Sequence, residues 1–335
     1  MIAYNIAENL KKKETIHNNM PRKVLICELF ENGKGNKAIE YDKILYIPKI
    51  QICTNGTIVH SHEEVVELIE FHSDDIIIFS ANEDGMHYVK QVNMTIPTLC
   101  AKLLEIRKAI KGHHPDIVMY NDPVHFEDNG NKFRSYELLK HLPYVPRFAE
   151  FKNHKNWDSF PCIVSANRAS GGRFRALCKD AQQLEEEGRR IQRVKGGTFI
   201  VDYIDSTIEE LGCFHNLRFM VVNDTLVDWF CRPGKGWNVH TRTQKNEVIP
   251  KADAWAEKWM NEHGTLVKQF LDDMYAVLGK GAYAYDLIIK GDMLYLCEIG
   301  YKFWDDTVAK LIDFKKYKLT KDVEKYKQIM NGYIK

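Results

Sequence analysis

The amino-acid sequence predicts an α/β protein with more than one domain. Along the first 120 residues, short apolar runs rich in β-branched residues alternate with amphipathic stretches, which is the pattern of strands joined by helices. In the second half, apolar runs follow one another across short turns, as antiparallel hairpins do. The length of 335 residues suggests roughly two domains, because a domain usually has about 100–200 residues.

Composition excludes several classes of partner. The chain has 47 basic and 46 acidic residues, so no overall field favours nucleic acid or an anionic membrane. No apolar run approaches the roughly 18 residues of a membrane span, and the N-terminus has no apolar signal core. Eight scattered cysteines form no Cys-x-x-Cys pair, which favours free thiols in a reducing compartment. We therefore expect a cytoplasmic protein without nucleic-acid or membrane partners.

The first part of the chain predicts one α/β layer. An Asn55-Gly56 turn predicts a hairpin, Ser61 begins a helix whose first turn is acidic, and residues 95–112 form an amphipathic helix. The expected strands of this layer are 23–27, 44–47, 75–79 and 116–120.

The second part predicts mainly antiparallel strands. Pro143 and Pro146 mark a linker, a polar helix begins at Lys179, and one long helix spans 251–278. The expected strands are 160–165, 198–204, 217–223, 226–232, 283–289 and 293–298, and a Lys-rich helix covers 318–334.

Two sequence features suggest binding sites, one for phosphate and one for a divalent cation. The β-rich run from Pro161 ends in the turn Ser170-Gly171-Gly172, whose backbone amides can fold over phosphate. Asp286 and Glu298 lie on neighbouring predicted strands joined by a turn at Gly291, and paired carboxylates suit a hard divalent cation. A phosphate-covering loop together with paired acids indicates an enzyme that uses ATP. The structural alternatives are a plain hairpin and an acidic pair neutralised by Arg232 or Lys132.

The order of motifs over about residues 115–307 resembles the ATP-grasp superfamily, in particular its RimK-like and glutathione-synthetase-like carboxylate-amine ligases. The entry signature is present as Asn121-Asp122-Pro123, Asn131-Lys132, Leu138-Leu139 and Val145-Pro146. The resemblance implies that Lys132 reaches the nucleotide's phosphates, and its place near a helix N-terminus favours an anion. The alternative is a solvated surface lysine.

The phosphate loop of the family reads Lys-Pro-x-x-Gly-Ser-x-Gly. This chain keeps Ser170, Gly171 and Gly172, but Ser165, Ala166 and Ala169 replace the lysine, the proline and the first glycine. Ser165 supplies no charge. Arg168 and Arg173 flank the loop, and a guanidinium grips phosphate in bidentate fashion.

The hinge strand of the family resembles residues 199–204, with Asp202 near the usual glutamate. The resemblance implies that the peptide groups of Ile204 bond adenine and that Asp205 or Glu209 takes the ribose hydroxyls. Spacing does not choose between these two acids.

Two arginines, Arg218 and Arg232, match positions that hold the acyl phosphate and the transferred phosphate in related ligases. An arginine inside an apolar strand requires an anionic partner, and a structural ion pair is the alternative. The following loop implies substrate contact by Lys235, Asn238 or His240, or else a solvent-exposed turn held by Trp237.

The metal site of the family has an acid on one strand and Glu-x-Asn on the next, and it holds one or two Mg²⁺ ions. Asp286 and Glu298 reproduce the acids, whereas Gly300 stands where asparagine is expected. Water, Asp305 or Asp306 would supply the missing ligand.

The resemblance therefore implies an ATP-grasp fold, in which two α/β subdomains clasp the nucleotide behind an N-terminal α/β domain. We place the N-terminal domain at 1–115, the small subdomain at 116–205 and the large subdomain at 206–335. The implied activity is an ATP- and Mg²⁺-dependent ligase that joins a carboxylate to an amine through an acyl phosphate, in a family that often forms dimers. The alternatives are a phosphotransferase on the same fold and a protein that binds nucleotide without chemistry.

Overall fold

The computed structural model describes residues 23–27, 43–46, 52–53, 57–58, 72–80, 96–125, 131–168, 172, 174–239, 244 and 247–300. The predictions made for 61–64, 318–334, Ala169, Ser170, Gly171, Arg173, His240, Asp305 and Asp306 lie outside these residues.

The first sheet is parallel and has the strand order β2-β1-β5-β6. Helix α1 follows β5 and packs on this sheet because Leu103, Ile106 and Ile110, spaced at helical intervals, are buried in one cluster with Ile77 and Phe79. Residues 52–53 and 57–58 pair antiparallel, which confirms the predicted hairpin, while Asn55 and Gly56 lie outside the described residues. The elements are β1 (Lys23–Cys27), β2 (Lys43–Tyr46), β3 (Ile52–Cys53), β4 (Thr57–Ile58), β5 (Ile76–Ser80), α1 (Ile96–His113) and β6 (Val118–Tyr120).

The second sheet is antiparallel and has the order β7-β10-β8-β9. Asp180 is the N-cap of helix α3, and its carboxylate accepts a hydrogen bond from the amide of Gln183. Gly188 of this helix allows close packing, since a Cβ there would meet the Phe151 ring at 1.9 Å. The elements are α2 (Lys132–Leu139), β7 (Phe148–Glu150), β8 (Cys162–Ala166), β9 (Arg175–Cys178), α3 (Ala181–Lys195) and β10 (Thr198–Asp202).

The third sheet is also antiparallel: β12 pairs with β11, β13 and β14, and β14 pairs with β15. The helix over Gly264–Leu278 covers this sheet through Phe270, whose ring contacts Phe219 and Tyr285 edge to face. Ala252 and Ala256 of the preceding helix are buried in the same cluster. The elements are β11 (Thr207–Ile208), β12 (Cys213–Val222), β13 (Thr225–Gly234), α4 (Ile249–Glu262), α5 (Gly264–Leu278), β14 (Ala282–Lys290) and β15 (Met293–Gly300).

The single helix predicted over 251–278 is instead two helices. The break falls at His263, which leaves helical geometry with φ −115° and ψ 30°. Its ring stacks on Trp259 at 4.3 Å between centroids, and Gly264 begins the next helix. Glycine is a weak helix former, and here it is the first residue of the second helix.

Asn121 joins the first sheet to the third. Its backbone is left-handed, with φ 53°, and its amide side chain bonds both the N–H and the C=O of Ala282, at 3.0 and 2.9 Å. Its own N–H donates to the carbonyl of Lys280 at 2.9 Å. The first residue of the entry signature is therefore a structural joint between β6 and β14.

Among the described helices, none is both long enough and apolar enough to cross a bilayer.

Candidate active site

A cleft lies between the second and third sheets. Ile163, Arg175 and Val201 line it from the second sheet, and Asp286 and Glu298 line it from the third. The connection between the two sheets also forms part of the wall, through Asp202, Tyr203 and Ile204. The cleft therefore brings the predicted hinge and the two predicted metal ligands to one place.

A row of charged side chains crosses the third sheet at this cleft. Arg218 on β12 is in register with Asp286 on β14, which is in register with Glu298 on β15. Asn216 lies two residues before Arg218 and pairs with Arg232 on β13. Because residues two apart on a strand share a face, all five side chains belong to the same face of the sheet.

Asp286 is the anionic centre of the row. The Arg218 guanidinium donates to both of its oxygens, at 2.7 and 3.0 Å, and Arg232 Nη2 lies 2.5 Å from Oδ1. Burial by itself raises the pKa of Asp286, but the two guanidinium groups outweigh burial and hold the pKa well below its usual range. The carboxylate is therefore ionised at any physiological pH.

Arg232 is buried with Asp286 as its counter-ion. Its Nη2 also donates to the Asn216 side-chain oxygen. Burial lowers the pKa of this guanidinium, while Asp286 opposes that shift. A structural ion pair was the alternative considered for Arg218 and Arg232, and the structure has it: both guanidinium groups contact the Asp286 carboxylate.

Lys132 and Glu298 form the second ion pair of the site. Lys132 Nζ lies 3.3 Å from Glu298 Oε2, and the lysine side chain is only 8% exposed, so Lys132 is not a solvated surface residue. Asn131 caps the first turn of α2 by accepting the amide of Arg134 at 3.2 Å. The Lys132 N–H donates to the carbonyl of Asn167 at 2.8 Å, which ties the helix to the start of the phosphate loop.

The two carboxylates suit a magnesium ion in type and position. Asp286 and Glu298 are cross-strand partners on the cleft-facing side, and carboxylate oxygens are ligands that Mg²⁺ prefers. Within the described ranges, no three His, Cys, Asp or Glu side chains gather as a metal site. Gly300 pairs with Ala284 and adds no side-chain ligand. An ion here would therefore complete its shell with phosphate and water, as Mg²⁺ commonly does.

The phosphate loop joins β8 to β9. Ser165 is buried, and its hydroxyl donates to the Ala166 carbonyl at 3.3 Å. Directly opposite on β9 stands Arg175, which lines the cleft and which the sequence reasoning missed. Counting outward from Ser170 in a symmetric hairpin would have placed Arg175 opposite Ser165. Arg168 is described but does not line the cleft.

The loop after β13 closes against the phosphate loop. Asn238 Nδ2 donates to the Gly172 carbonyl at 2.9 Å, and its Oδ1 accepts from Arg175 Nη1 at 3.3 Å. Trp237 lines the cleft, and its ring lies 5.8 Å from the Arg175 guanidinium. Gly172 has φ +64°, and a Cβ there would stand 3.0 Å from Asn238. Lys235 is exposed and does not line the cleft.

The two acids proposed for ribose lie away from the cleft lining. Asp205 Oδ1 accepts from the hydroxyl and the amide of Thr207, at 2.7 and 3.1 Å, and Oδ2 lies 3.4 Å from Lys290 Nζ. The Thr207 hydroxyl is the main cause that lowers the pKa of Asp205, against the effect of burial. Glu209 is exposed in a short 3₁₀ turn. Asp202 does line the cleft, with Oδ2 at 3.5 Å from Arg147 Nε.

Two further cleft residues were not found from the sequence. The His215 Nδ1–H donates to the Ser206 carbonyl at 2.6 Å, and Nε2 accepts the Ile289 amide at 3.0 Å; burial lowers its pKa to about 4, so the ring is neutral. The Tyr136 hydroxyl donates to the carbonyls of Leu296 and Cys297, at 3.0 and 3.1 Å, and burial raises its pKa. Both residues fix the walls of the cleft.

Comparison by sequence finds no relative: no family model matches the chain, and no curated protein does. Solved structures do share its fold. The chain is similar to a RimK domain ATP-grasp protein from Sphaerobacter thermophilus DSM 20745, with 9% identity, 93% of this chain and 99% of that chain covered, and a TM-score of 0.50. It is also similar to the ATP-grasp ligase PsnB, solved with a phosphomimetic variant of a minimal precursor, Mg and ADP. That match has 11% identity, covers 95% of this chain and 99% of that chain, and has a TM-score of 0.52. The chain therefore has the ATP-grasp fold, as its motifs predict.

Proposed function

We propose that this protein is an ATP-dependent ligase that joins a carboxylate to an amine in the cleft between the second and third sheets. The observation that carries the proposal is a cluster of charges in the cleft wall. Asp286 and Glu298 line the cleft and contact Arg218, Arg232 and Lys132. Arg175 lines the cleft as well, so four cationic side chains accompany these two carboxylates and Asp202, the third acid of the lining. Such a site favours a polyanion such as a triphosphate.

The apolar part of the cleft lining suits a flat base. Ile163, Val201 and Leu296 supply apolar walls, and such walls with a few polar groups are typical of small-molecule sites. Tyr203 and Ile204 lie beyond Asp202, the last paired residue of β10. We assign the adenine to these apolar walls and its hydrogen bonds to the peptide groups after Asp202.

Asp286 and Glu298 would hold one or two magnesium ions. When bound, the ions would neutralise charge on the nucleotide's phosphates. As phosphate enters, Arg218 and Arg232 would exchange part of their contact with Asp286 for phosphate oxygens, and Lys132 would do the same at Glu298. These ion pairs would thus keep the cations in position for the nucleotide.

The proposed reaction has two steps. A carboxylate oxygen of the substrate attacks the γ-phosphorus, the bond to the β–γ bridging oxygen breaks, and ADP leaves. The amine nitrogen then attacks the acyl carbon, the carbon–oxygen bond to phosphate breaks, and the amine loses a proton as the amide forms. Positioning and charge neutralisation would supply most of the rate enhancement.

The loop over residues 168–174 would cover the acyl phosphate and exclude water. Its contact with Asn238 supports this role, because that residue connects Gly172 to the loop after β13. In this scheme the domains are 1–115, 116–205 and 206–335, and the second and third sheets are the cores of the two clasping subdomains. Lys235, Asn238 and His240 stay predictions for substrate contact.

The test is a screen of pooled carboxylates and amines for ADP release, with mass detection of the product. The proposal expects ADP and a condensed product only when both a carboxylate and an amine are present. ADP formed with the acceptor alone, together with a phosphorylated product, would assign a phosphotransferase instead.

A second candidate, a protein that binds nucleotide without chemistry, is favoured by one observation. Both acids are already neutralised by cations, and Ser165 and Gly300 stand where the family has a lysine and an asparagine. Tight nucleotide binding with no ADP under any substrate mixture would identify this function.

A further inference from the structure

Arg175 is a cation of the cleft wall for which the described part of the chain supplies no carboxylate partner. Among the residues that the structure describes, its polar contacts are the Asn238 side-chain oxygen at 3.3 Å and the face of Trp237. Its Nε is buried and has no hydrogen-bond partner. Arg218 and Arg232, by contrast, both contact Asp286. A buried donor without a partner is unfavourable, so the position calls for an anion.

The position of Arg175 shows where that anion would lie. Arg175 begins β9, directly opposite Ser165 on β8, and it lines the same cleft as Glu298. The guanidinium therefore lies in the same cleft as the acidic pair Asp286 and Glu298.

Trp237 and Asn238, which lie in the loop after β13, contact the guanidinium of Arg175. Asn238 also donates to the Gly172 carbonyl, so one side chain orients both Arg175 and the backbone of the phosphate loop. A guanidinium keeps further donors for a bidentate contact after one has bonded Asn238. Arg175 thus has free hydrogen-bonding capacity towards the cleft.

We propose that Arg175 binds the nucleotide's phosphates and supplies from β9 the positive charge that Ser165 lacks on β8. This inference rests on the proposed function for the identity of the ligand, a nucleoside polyphosphate. Trp237 and Asn238 are positioning residues for this contact.

Calorimetric titration of the full chain in Mg²⁺ buffer tests the assignment with three probes: ADP, inorganic tripolyphosphate and adenosine. We expect Arg175→Ala to weaken the binding of ADP and of tripolyphosphate about 10- to 100-fold, as for the loss of a charged hydrogen bond. The affinity for adenosine should stay unchanged. Arg175→Lys should keep most of the affinity, and Arg175→Gln should lose it. The double variant Ser165→Lys/Arg175→Ala, which moves a cation to the opposite strand, should regain part of it. Arg189→Ala is the matched control, because it removes the same charge from an exposed site on α3 and should leave the affinity for all three probes unchanged.

The outcomes separate the inference from the proposed function. Equal tripolyphosphate affinity in the wild type and in Arg175→Gln would overturn the inference alone. If the alanine variant does not fold, as judged by circular dichroism, the comparison of Arg175→Lys with Arg175→Gln decides, and equal losses in both would also overturn it. A wild type that binds tripolyphosphate through Arg175 but binds neither ADP nor adenosine would refute the proposed function and leave an anion site. A wild type that binds none of the probes would refute both.

Discussion

Arg218 and Asp286 face each other across β12 and β14, and two hydrogen bonds of 2.7 and 3.0 Å join their side chains. Arg232 reaches the same carboxylate from β13. One acid therefore keeps two guanidinium groups close together on a single face of the sheet. The two guanidinium groups compensate for the burial of this carboxylate away from water.

Removing this carboxylate should destabilise the protein strongly. Asp286→Ala leaves Arg218 and Arg232 next to each other without a counter-ion, and breaking a buried ion pair typically costs about 3–5 kcal/mol. Urea unfolding at pH 7 measures the change in free energy of unfolding. Asp292→Ala is the control, because that side chain is 93% exposed and should change stability by less than about 0.5 kcal/mol. Equal stability of both variants would contradict the described ion pair.

Stability should also depend on pH through His215. Its pKa is about 4 in the folded protein and about 6.5 in an unfolded chain, so between these values the unfolded state binds more protons. The stabilisation is present above about pH 6.5 and declines as pH falls towards 4, by at most about 3 kcal/mol. Urea midpoints at pH 7.0 and 4.5 should differ less in His215→Asn than in the wild type. An identical pH dependence in both proteins would show that the ring is not buried neutral.

The stability of the protein should depend on both the side chain and the left-handed backbone of Asn121. Asn121→Gly removes two hydrogen bonds to Ala282 but tolerates φ 53°; we expect a loss of about 1–3 kcal/mol. Asn121→Ala adds left-handed strain and should lose about 1 kcal/mol more. Thermal unfolding of the pair separates the two effects. An alanine variant as stable as the glycine variant would argue against the left-handed geometry.

Much of the site followed from local patterns in the sequence. The turn at Gly291 places Asp286 and Glu298 on adjacent strands, and the structure has them in register. Arg218 and Arg232 were singled out because an arginine in an apolar strand needs an anion, and their partner is Asp286. Adjacent strands joined by a short turn are a local feature, but a register shift between Asp286 and Leu287 is needed to bring Asp286 opposite Glu298. The pairing of Arg218 with Asp286 is long-range, since 68 residues separate them.

Other features depended on contacts between distant segments. Nothing local to Asn238 indicates that it bonds Gly172, 66 residues away. Asp205, one of the two acids predicted for ribose, accepts hydrogen bonds from Thr207 and Lys290, and its contact with ribose stays a prediction. Phosphate contact by Arg168 and Arg173 stays a prediction as well. Arg175 comes opposite Ser165 through the register of β8 and β9, which the loop sequence alone does not indicate.

The central claim is that a substrate carboxylate is activated by phosphoryl transfer in this cleft. Once the screen identifies a carboxylate, both of its oxygens can be labelled with ¹⁸O and the released phosphate analysed by mass spectrometry. An acyl phosphate leaves one substrate oxygen on the phosphate, so we predict inorganic phosphate carrying a single ¹⁸O, and no such product with Glu298→Gln. Phosphate released without label, or found only on a phosphorylated product, would contradict a ligase that forms an acyl phosphate.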